Sequence, residues 1–96
     1  MLKIGDKVTI SLSERSLSNA KDDLLVCVEQ GYIDGRHFGV LWDAYGNTAS
    51  VWTIDEVDND KALYGLTIDG YEACLRVDAV EVVPLPEIGH GRPDAN

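Results

Sequence analysis

The chain has 96 residues, a length that allows one domain with a single modest core. Hydrophobic residues make up 45% and charged residues 26% of the chain, so the composition is that of a folded globular domain rather than a disordered segment. The 17 acidic and 8 basic residues give a formal net charge of −9, which argues against direct affinity for nucleic acid or for an anionic membrane surface.

The first predicted element is a β-strand within Lys3–Ile10. In this segment Val8 and Ile10 fall on one face of an extended chain. The following stretch, Ser11–Asp23, is rich in serine, asparagine and charge. It is therefore expected to form either a long loop or one short helix within residues 13–23.

A central β-hairpin is predicted next. Residues Leu24–Ile33 are rich in leucine and β-branched side chains, which favours a strand. Asp34-Gly35 follows, and an Asp-Gly pair readily adopts the positive φ angles of a two-residue hairpin turn. Arg36–Trp42 then returns antiparallel to the first strand of this hairpin.

A further hairpin is predicted after the turn residues Asp43–Asn47. Apolar and polar residues alternate over Thr48–Val57, which places Trp52 and Ile54 on the same face of a strand. Asp58–Lys61 supplies a turn of the composition that hairpins favour.

The returning strand of that hairpin is predicted over residues 62–68. The second Asp-Gly pair, Asp69-Gly70, then reverses the chain into a strand over Tyr71–Val77. On this strand Cys74 shares a face with charged residues, so we expect it to point away from the core. A short last strand, Val80–Val83, is ended by prolines.

These elements predict a single small β-barrel domain over residues 1–84 and a flexible C-terminal tail over residues 85–96. A constant offset of 35 residues relates Ile33-Asp34-Gly35 to Ile68-Asp69-Gly70. The matched positions are turn residues that any two hairpins would select, so we attribute the similarity to chance or convergence rather than to duplication.

Both ends of the chain resemble the SH3-like small β-barrel. Ile4-Gly5-Asp6-Lys7-Val8 resembles the Gly-Asp-x-Val entry to the first barrel strand, and Tyr71–Val83 resembles the last hairpin strand, short helical turn and final strand. These segments cover about a fifth of the chain and are not specific to one family. The resemblance implies a mostly-β fold, a small antiparallel barrel of about six to seven strands. Because Ser11–Asp23 is an insertion and the binding-groove motifs of peptide-binding SH3 domains are missing, the resemblance implies no ligand.

The sequence contains no recognisable catalytic or metal-binding motif. His37 and His90 are the two histidines, and neither lies in the context of a nucleophile and its base. No short ligand spacing joins them to Cys27 or Cys74. We expect both cysteines to be reduced, although a disulfide bond would be feasible if their strands were neighbours. We therefore predict a protein that is not an enzyme and has no cofactor or metal.

Nothing in the sequence predicts a membrane segment. No apolar run approaches the roughly 18 residues that span a bilayer. The first residues alternate between polar and apolar, whereas a signal peptide has a continuous apolar stretch. We therefore expect a cytoplasmic protein.

The candidate binding surface combines aromatic and acidic side chains. Tyr45 lies in a predicted turn, where a tyrosine gains little from burial, while most other aromatic residues fall in predicted strands. A cluster of acidic residues, Asp55, Glu56, Asp58 and Asp60, follows in the sequence, and it lacks the glycine and the terminal glutamate of an EF-hand loop. An aromatic surface rimmed by carboxylates suits a lysine or arginine side chain. The predicted partner-binding residues are Trp42, Tyr45, Trp52, Asp55, Glu56, Asp58 and Asp60.

Three hypotheses for the function follow, in order of preference. The first is a non-enzymatic interaction module or small accessory protein that binds a basic protein or peptide segment, or a second copy of itself. The second is an acidic inhibitor, of the sort that phages and mobile elements encode, which mimics nucleic acid and occupies a DNA- or RNA-binding protein. The third is a small-ligand-binding barrel or enzyme, which would need a pocket that the sequence does not reveal.

Overall fold

A computed structural model describes residues 2–74 and 76–85 of the chain. Within these ranges, two α-helices follow the first strand and separate it from the remaining strands. In chain order the elements are β1 (Lys7–Ile10), α1 (Glu14–Glu29), α2 (Gly35–Tyr45), β2 (Trp52–Asp58), β3 (Leu63–Ile68), β4 (Tyr71–Glu72), β5 (Val77–Asp78), a 3-10 turn (Ala79–Glu81) and β6 (Val82–Pro84).

The strands form one antiparallel sheet in the order β4-β3-β2-β1-β6, and β5 also pairs with β3. The first strand therefore lies between β2 and the last strand, with Val8 opposite Trp52 and Thr9 opposite Val83. Among the described strands, β6 does not pair with β4 or β5, so the sheet is not closed into a barrel. The predicted mostly-β barrel is corrected to a mixed fold of one small antiparallel sheet and two helices.

Two helices replace the central hairpin predicted over Leu24–Ile33 and Arg36–Trp42. Asp34 is the N-cap of α2, and its carboxylate accepts a hydrogen bond from the backbone amide of His37 at 2.8 Å. Aspartate is favoured both at helix N-caps and in tight turns, because its short side chain accepts hydrogen bonds from nearby backbone amides. The Asp-Gly pair alone therefore did not distinguish a helix start from a hairpin turn.

The apolar spacing of this region is helical. Ala20 and Leu24 are the buried residues of α1, and Leu41, Ala44 and Tyr45 are those of α2. Separations of three and four residues place side chains on one face of a helix. The strand prediction was wrong because it weighed residue type and overlooked this spacing.

The first helix begins in the segment predicted to be a loop or short helix. Ser13 is its N-cap, and the Ser13 hydroxyl accepts a hydrogen bond from the amide of Ser16 at 3.1 Å. The helix continues to Glu29, and Gly31 follows with a φ of 78°. A glycine in this left-handed conformation is a common way for a helix to end.

The hairpin turn predicted at Asp69-Gly70 is confirmed. The φ angles of these residues are 52° and 82°, both positive as a type I′ turn requires, and Ile68 pairs with Tyr71 across it. The same dipeptide starts a helix at Asp34-Gly35. The segments related by the 35-residue offset therefore have different structures, as expected if the similarity is not a duplication.

The long strand predicted over Tyr71–Val77 is interrupted after Glu72, so β4 and β5 pair with opposite ends of β3. Cys74 packs against the hydrophobic core, contrary to the prediction that it points away. The alternation of a continuous strand no longer applies to a residue that lies between two short ones.

The last strand starts later than predicted. A 3-10 turn occupies Ala79–Glu81, and β6 spans Val82–Pro84 rather than Val80–Val83. Pro84 is opposite Val8 at the edge of the sheet, where a proline does not interrupt the hydrogen bonds of an interior strand. Apart from Leu85, the predicted tail lies outside the described residues.

One core joins the sheet to both helices. The predicted alternation of β2 is confirmed, because Trp52 and Ile54 are fully buried. The ring of Trp52 stacks on that of Tyr45 from α2, with 5.5 Å between their centres and 23° between their planes. The sheet contributes Val8, Ile10, Trp52, Ile54, Leu66, Val77 and Val82, and the helices contribute Ala20, Leu24, Leu41, Ala44 and Tyr45.

We predict that Asp34→Ala lowers the free energy of unfolding by about 1 kcal/mol, because it removes the N-cap of α2. Asp34→Asn serves as the matched control, since asparagine can accept the same hydrogen bond and should cost little. Urea unfolding followed by circular dichroism measures both. Equal losses in the two variants would contradict the capping role.

Candidate functional site

A β-bulge interrupts the pairing of β2 with β3. Ile54 is opposite Leu66 and Glu56 is opposite Gly65, which leaves Asp55 without a partner in β3. Consecutive side chains of a regular strand point to opposite faces, and a bulge changes the direction of one of them. The bulge therefore brings the exposed side chains of Asp55 and Glu56 to the same neighbour, Gly65.

Gly65 makes room for these two acidic side chains. A Cβ atom at this position would lie 2.7 Å from Oδ1 of Asp55, 2.8 Å from Cβ of Glu56 and 3.1 Å from its Oε1. The first two distances are shorter than any normal contact, so a larger residue at position 65 would displace both side chains. A glycine inside a strand often marks a bulge or a close approach, and this is the sequence signal that could have located the site.

A groove with a volume of about 420 Å³ lies beside the bulge. We call it the acidic groove. Its volume falls within the roughly 300–1,000 Å³ typical of ligand-binding clefts. Carboxylates from β2 and β4 predominate over a single cationic side chain. The acidic groove is lined by Asp55, Glu56, Gly65, Leu66, Glu72, Ala73, Cys74 and Arg76.

Arg76 is the cation of the acidic groove, and it is loosely held. Its Nη1 atom lies 3.4 Å from Oε2 of Glu56 and 3.3 Å from Oδ2 of Asp58. The Arg76 side chain is 41% exposed and that of Glu56 is 56% exposed, so solvent screens these ion pairs and each contributes little. Within the described part of the chain, Asp55 and Glu72 form no salt bridge. The groove therefore has carboxylates free to bind an external cation.

His37 fixes the position of β4 beside the groove. Its Nε2 atom donates a hydrogen bond to the backbone carbonyl of Glu72 at 2.7 Å, and its ring lies 5.0 Å from that of Tyr71. A carbonyl oxygen can only accept, so Nε2 carries the proton in this contact. From the sequence His37 was evaluated only as a ligand or a base, whereas its contacts here connect α2 to the sheet.

Two of the four acidic residues of the predicted surface line the acidic groove, and the other two do not. Asp55 and Glu56 lie in the acidic groove. Asp58 lies next to it as a partner of Arg76, and its Oδ1 atom accepts a hydrogen bond from the amide of Lys61. Asp60 is exposed in the turn after β2 and does not line the groove.

The aromatic residues of the predicted surface do not join the acidic ones. Tyr45 ends α2 and is only 4% exposed, and Trp52 is fully buried, so the expectation that Tyr45 is exposed in a turn is wrong. Trp42 is half-buried and stacks on Phe38 at 5.4 Å. The ammonium of Lys21 lies 4.5 Å from the centre of the Trp42 ring. The chain's own lysine thus occupies the cation–π position on Trp42.

Glu72 and Arg76, which the sequence analysis did not select, contribute charge to the groove. They come from the segment after the Asp69-Gly70 turn, and only the pairing of β4 and β5 with β3 brings them beside the bulge at Asp55. Their types are ordinary for exposed positions, so no local sequence signal distinguishes them from other charged residues.

Tyr45 and Trp52 in the core, and Cys74 in the lining of the groove, are uncharged at neutral pH. The Tyr45 hydroxyl and the Trp52 Nε1 atom are buried without a hydrogen-bond partner among the described residues. Burial raises the pKa of Tyr45 well above its ordinary value. Burial, with smaller contributions from a hydrogen bond to Cys27 and from the charges of Cys27 and Asp23, raises the pKa of Cys74 to about 12. Cys74 is therefore protonated at neutral pH and unsuited to act as a nucleophile.

Residues 2–74 and 76–85 contain no group of three histidine, cysteine, aspartate or glutamate side chains placed to hold a metal ion. None of the helices in these ranges combines the length and the apolar character needed to cross a bilayer.

We predict that alkylation of Cys74 at pH 8 is on the order of a thousandfold slower in the folded protein than in the urea-unfolded chain, because so little of the thiol is ionised. Peptide mapping by mass spectrometry after timed labelling follows Cys74 separately from Cys27. Rates within about tenfold of each other would show that the folded thiol is ionised or accessible.

We predict that Gly65→Ala lowers the free energy of unfolding by roughly 1 to 3 kcal/mol, because the new methyl group overlaps the side chains of Asp55 and Glu56. Gly39→Ala in α2 is the matched control. No heavy atom lies within 4 Å of its new methyl group, and alanine is the better helix former, so it should be neutral or stabilising. Equal effects would contradict a specific role for Gly65.

Comparison with known proteins gives no match: no family model, curated protein or solved structure is similar to this chain.

Proposed function

We propose that this protein is a non-enzymatic interaction module that binds a basic segment of a partner protein in the acidic groove. The observation that carries the proposal is the bulge at Asp55, which places two adjacent carboxylates beside Gly65. Glu72 adds a third carboxylate across the groove. A lysine or arginine side chain entering the groove would find several acceptors, and charge-assisted hydrogen bonds are the stronger class.

The charge of the whole chain supports the same partner. A formal net charge of −9 attracts a basic segment over a distance and increases its rate of association. The same charge disfavours a phosphate-rich ligand. Arg76 would compete with the incoming cation for Glu56, but this exposed ion pair is weak enough to be exchanged.

The aromatic side chains have a supporting role in this proposal. Tyr45 and Trp52 hold α2 on the sheet through their stacked rings, and Lys21 already covers Trp42. Recognition of the partner is therefore assigned to carboxylates rather than to a cation–π contact. The predicted binding set is accordingly narrowed to Asp55 and Glu56 and extended to Glu72.

We also infer that the open sheet, although not closed into a barrel, keeps part of the strand arrangement of SH3-like proteins. The pairing of β1 with both β2 and β6 supports this inference, as does the 3-10 turn that leads from β5 into β6. In this interpretation α1 and α2 occupy the connection between the first two strands. The resemblance concerns architecture alone and implies no ligand.

We predict that Asp55→Asn and Glu72→Gln each weaken the binding of a short arginine-rich synthetic peptide about fivefold, since each removes one favourable charge interaction. Isothermal titration calorimetry at low and moderate ionic strength measures the effect, and the affinity should fall as salt is added.

The matched control is Asp60→Asn, which removes the same charge from an exposed turn outside the groove. It should change the affinity by less than about twofold. If it weakens binding as much as Asp55→Asn, the peptide responds only to net charge and the groove is not the site. If the unmodified protein does not bind the peptide at low salt, the proposed function is wrong.

A further inference from the structure

A second depression lies on the other side of Arg76. Its volume is about 250 Å³, and it opens between α1 and the β3–β5 edge of the sheet. We call it the apolar cavity. Its apolar walls are Leu12, Ala20, Tyr45, Leu63 and Val77. Arg76 lines both this cavity and the acidic groove, so the two depressions are direct neighbours.

Two more carboxylates stand at the apolar cavity. Asp78 and Glu81 line it, and both are held by backbone amides. Oδ1 of Asp78 accepts a hydrogen bond from Val80, and Oε2 of Glu81 accepts one from Ser13, each at 3.1 Å. In the described residues neither carboxylate forms a salt bridge, so the acidic potential of the groove continues around the cavity.

The size of the cavity favours one side chain over a whole small molecule. Small-molecule sites usually measure about 300–1,000 Å³ and enclose most of the ligand. The apolar cavity is smaller than this and is open to solvent. An apolar side chain carried by an extended segment can fill such a depression while the rest of the segment stays on the surface.

We propose that the partner segment inserts an aliphatic side chain into the apolar cavity while a neighbouring lysine or arginine occupies the acidic groove. This inference rests on the proposed function and specifies its partner as a basic segment that contains an aliphatic residue. Charge complementarity supports it, because the carboxylates of Glu56 and Asp58 on one side of Arg76, and of Asp78 and Glu81 on the other, favour positive residues around the aliphatic one.

The experiment compares two synthetic peptides of equal arginine content in a Gly-Ser background. One carries a leucine next to an arginine, and the other carries serine in place of that leucine. We expect the leucine peptide to bind the unmodified protein about tenfold more tightly, because the leucine is removed from water. Calorimetry gives the affinities, and amide chemical shifts should change at Ala20, Leu63 and Val77 with the leucine peptide only.

A pair of protein variants tests whether the leucine of the peptide binds in the apolar cavity. Ser16 lines the apolar cavity, so Ser16→Leu should fill it and abolish the advantage of the leucine peptide. Ser18→Leu adds the same side chain at an exposed position of α1 outside the cavity and should leave the advantage unchanged. The peptide comparison needs no variant, so it remains decisive if Ser16→Leu does not fold.

Failure of this inference differs from failure of the proposed function. Equal affinities for the two peptides, with Asp55→Asn still weakening both, would overturn the apolar cavity as a docking site and leave the acidic groove in place. An equal loss of the leucine advantage in Ser16→Leu and Ser18→Leu would also overturn it. No binding of either peptide would overturn the proposed function and this inference together.

Discussion

The close approach of β2 to β3 at Gly65 is the constraint on which the surface chemistry depends. Because Gly65 has no side chain, the side chains of Asp55 and Glu56 can both lie close to this residue of β3. This arrangement lowers the stability of the sheet locally. The bulge leaves Asp55 without a partner in β3, and a glycine destabilises the strand that contains it. The result is a pair of adjacent acids facing one neighbour, which a regular strand could not provide.

The helices make this arrangement possible by filling the space under the sheet. Stacking of Tyr45 on Trp52 secures α2 against β2, the strand that carries the bulge. Two polar atoms, the Tyr45 hydroxyl and the Trp52 Nε1, are buried there without partners in the described ranges. Strand β2 thus contributes Trp52 and Ile54 to the core, and Asp55 and Glu56 to the exposed groove.

Local patterns predicted the strands better than the helices. Alternation over β2 correctly placed Trp52 and Ile54 in the core, and Asp69-Gly70 correctly located a hairpin turn. The second helix was missed because Asp34-Gly35 has equally good chemistry for a helix start, and the first was predicted only as one of two alternatives, a short helix within residues 13–23. The four-residue spacing of Ala20 and Leu24 indicates a helix, whereas the residue types of the segment that starts at Leu24 favour a strand.

The candidate site was predictable in part for a different reason. Asp55 and Glu56 belong to a conspicuous acidic cluster, so composition alone drew attention to them. Glu72 and Arg76 enter the groove through the register of β3 with β4 and β5, which is a long-range property. Burial of Tyr45 likewise depends on where α2 packs, and no neighbour in sequence reveals it.

The contact of His37 with Glu72 also bears on how a partner can approach. Tyr71 closes the hairpin with Ile68, so the next residue, Glu72, directs its backbone groups away from β3, and His37 accordingly occupies its carbonyl from α2. An incoming strand would have to displace this imidazole and approach past the helix before it could pair with β4. His37 thereby hinders edge-to-edge pairing at β4, while the acidic side chains of Asp55, Glu56 and Glu72 stay exposed. This contact therefore supports the proposed binding through side chains rather than through an added strand.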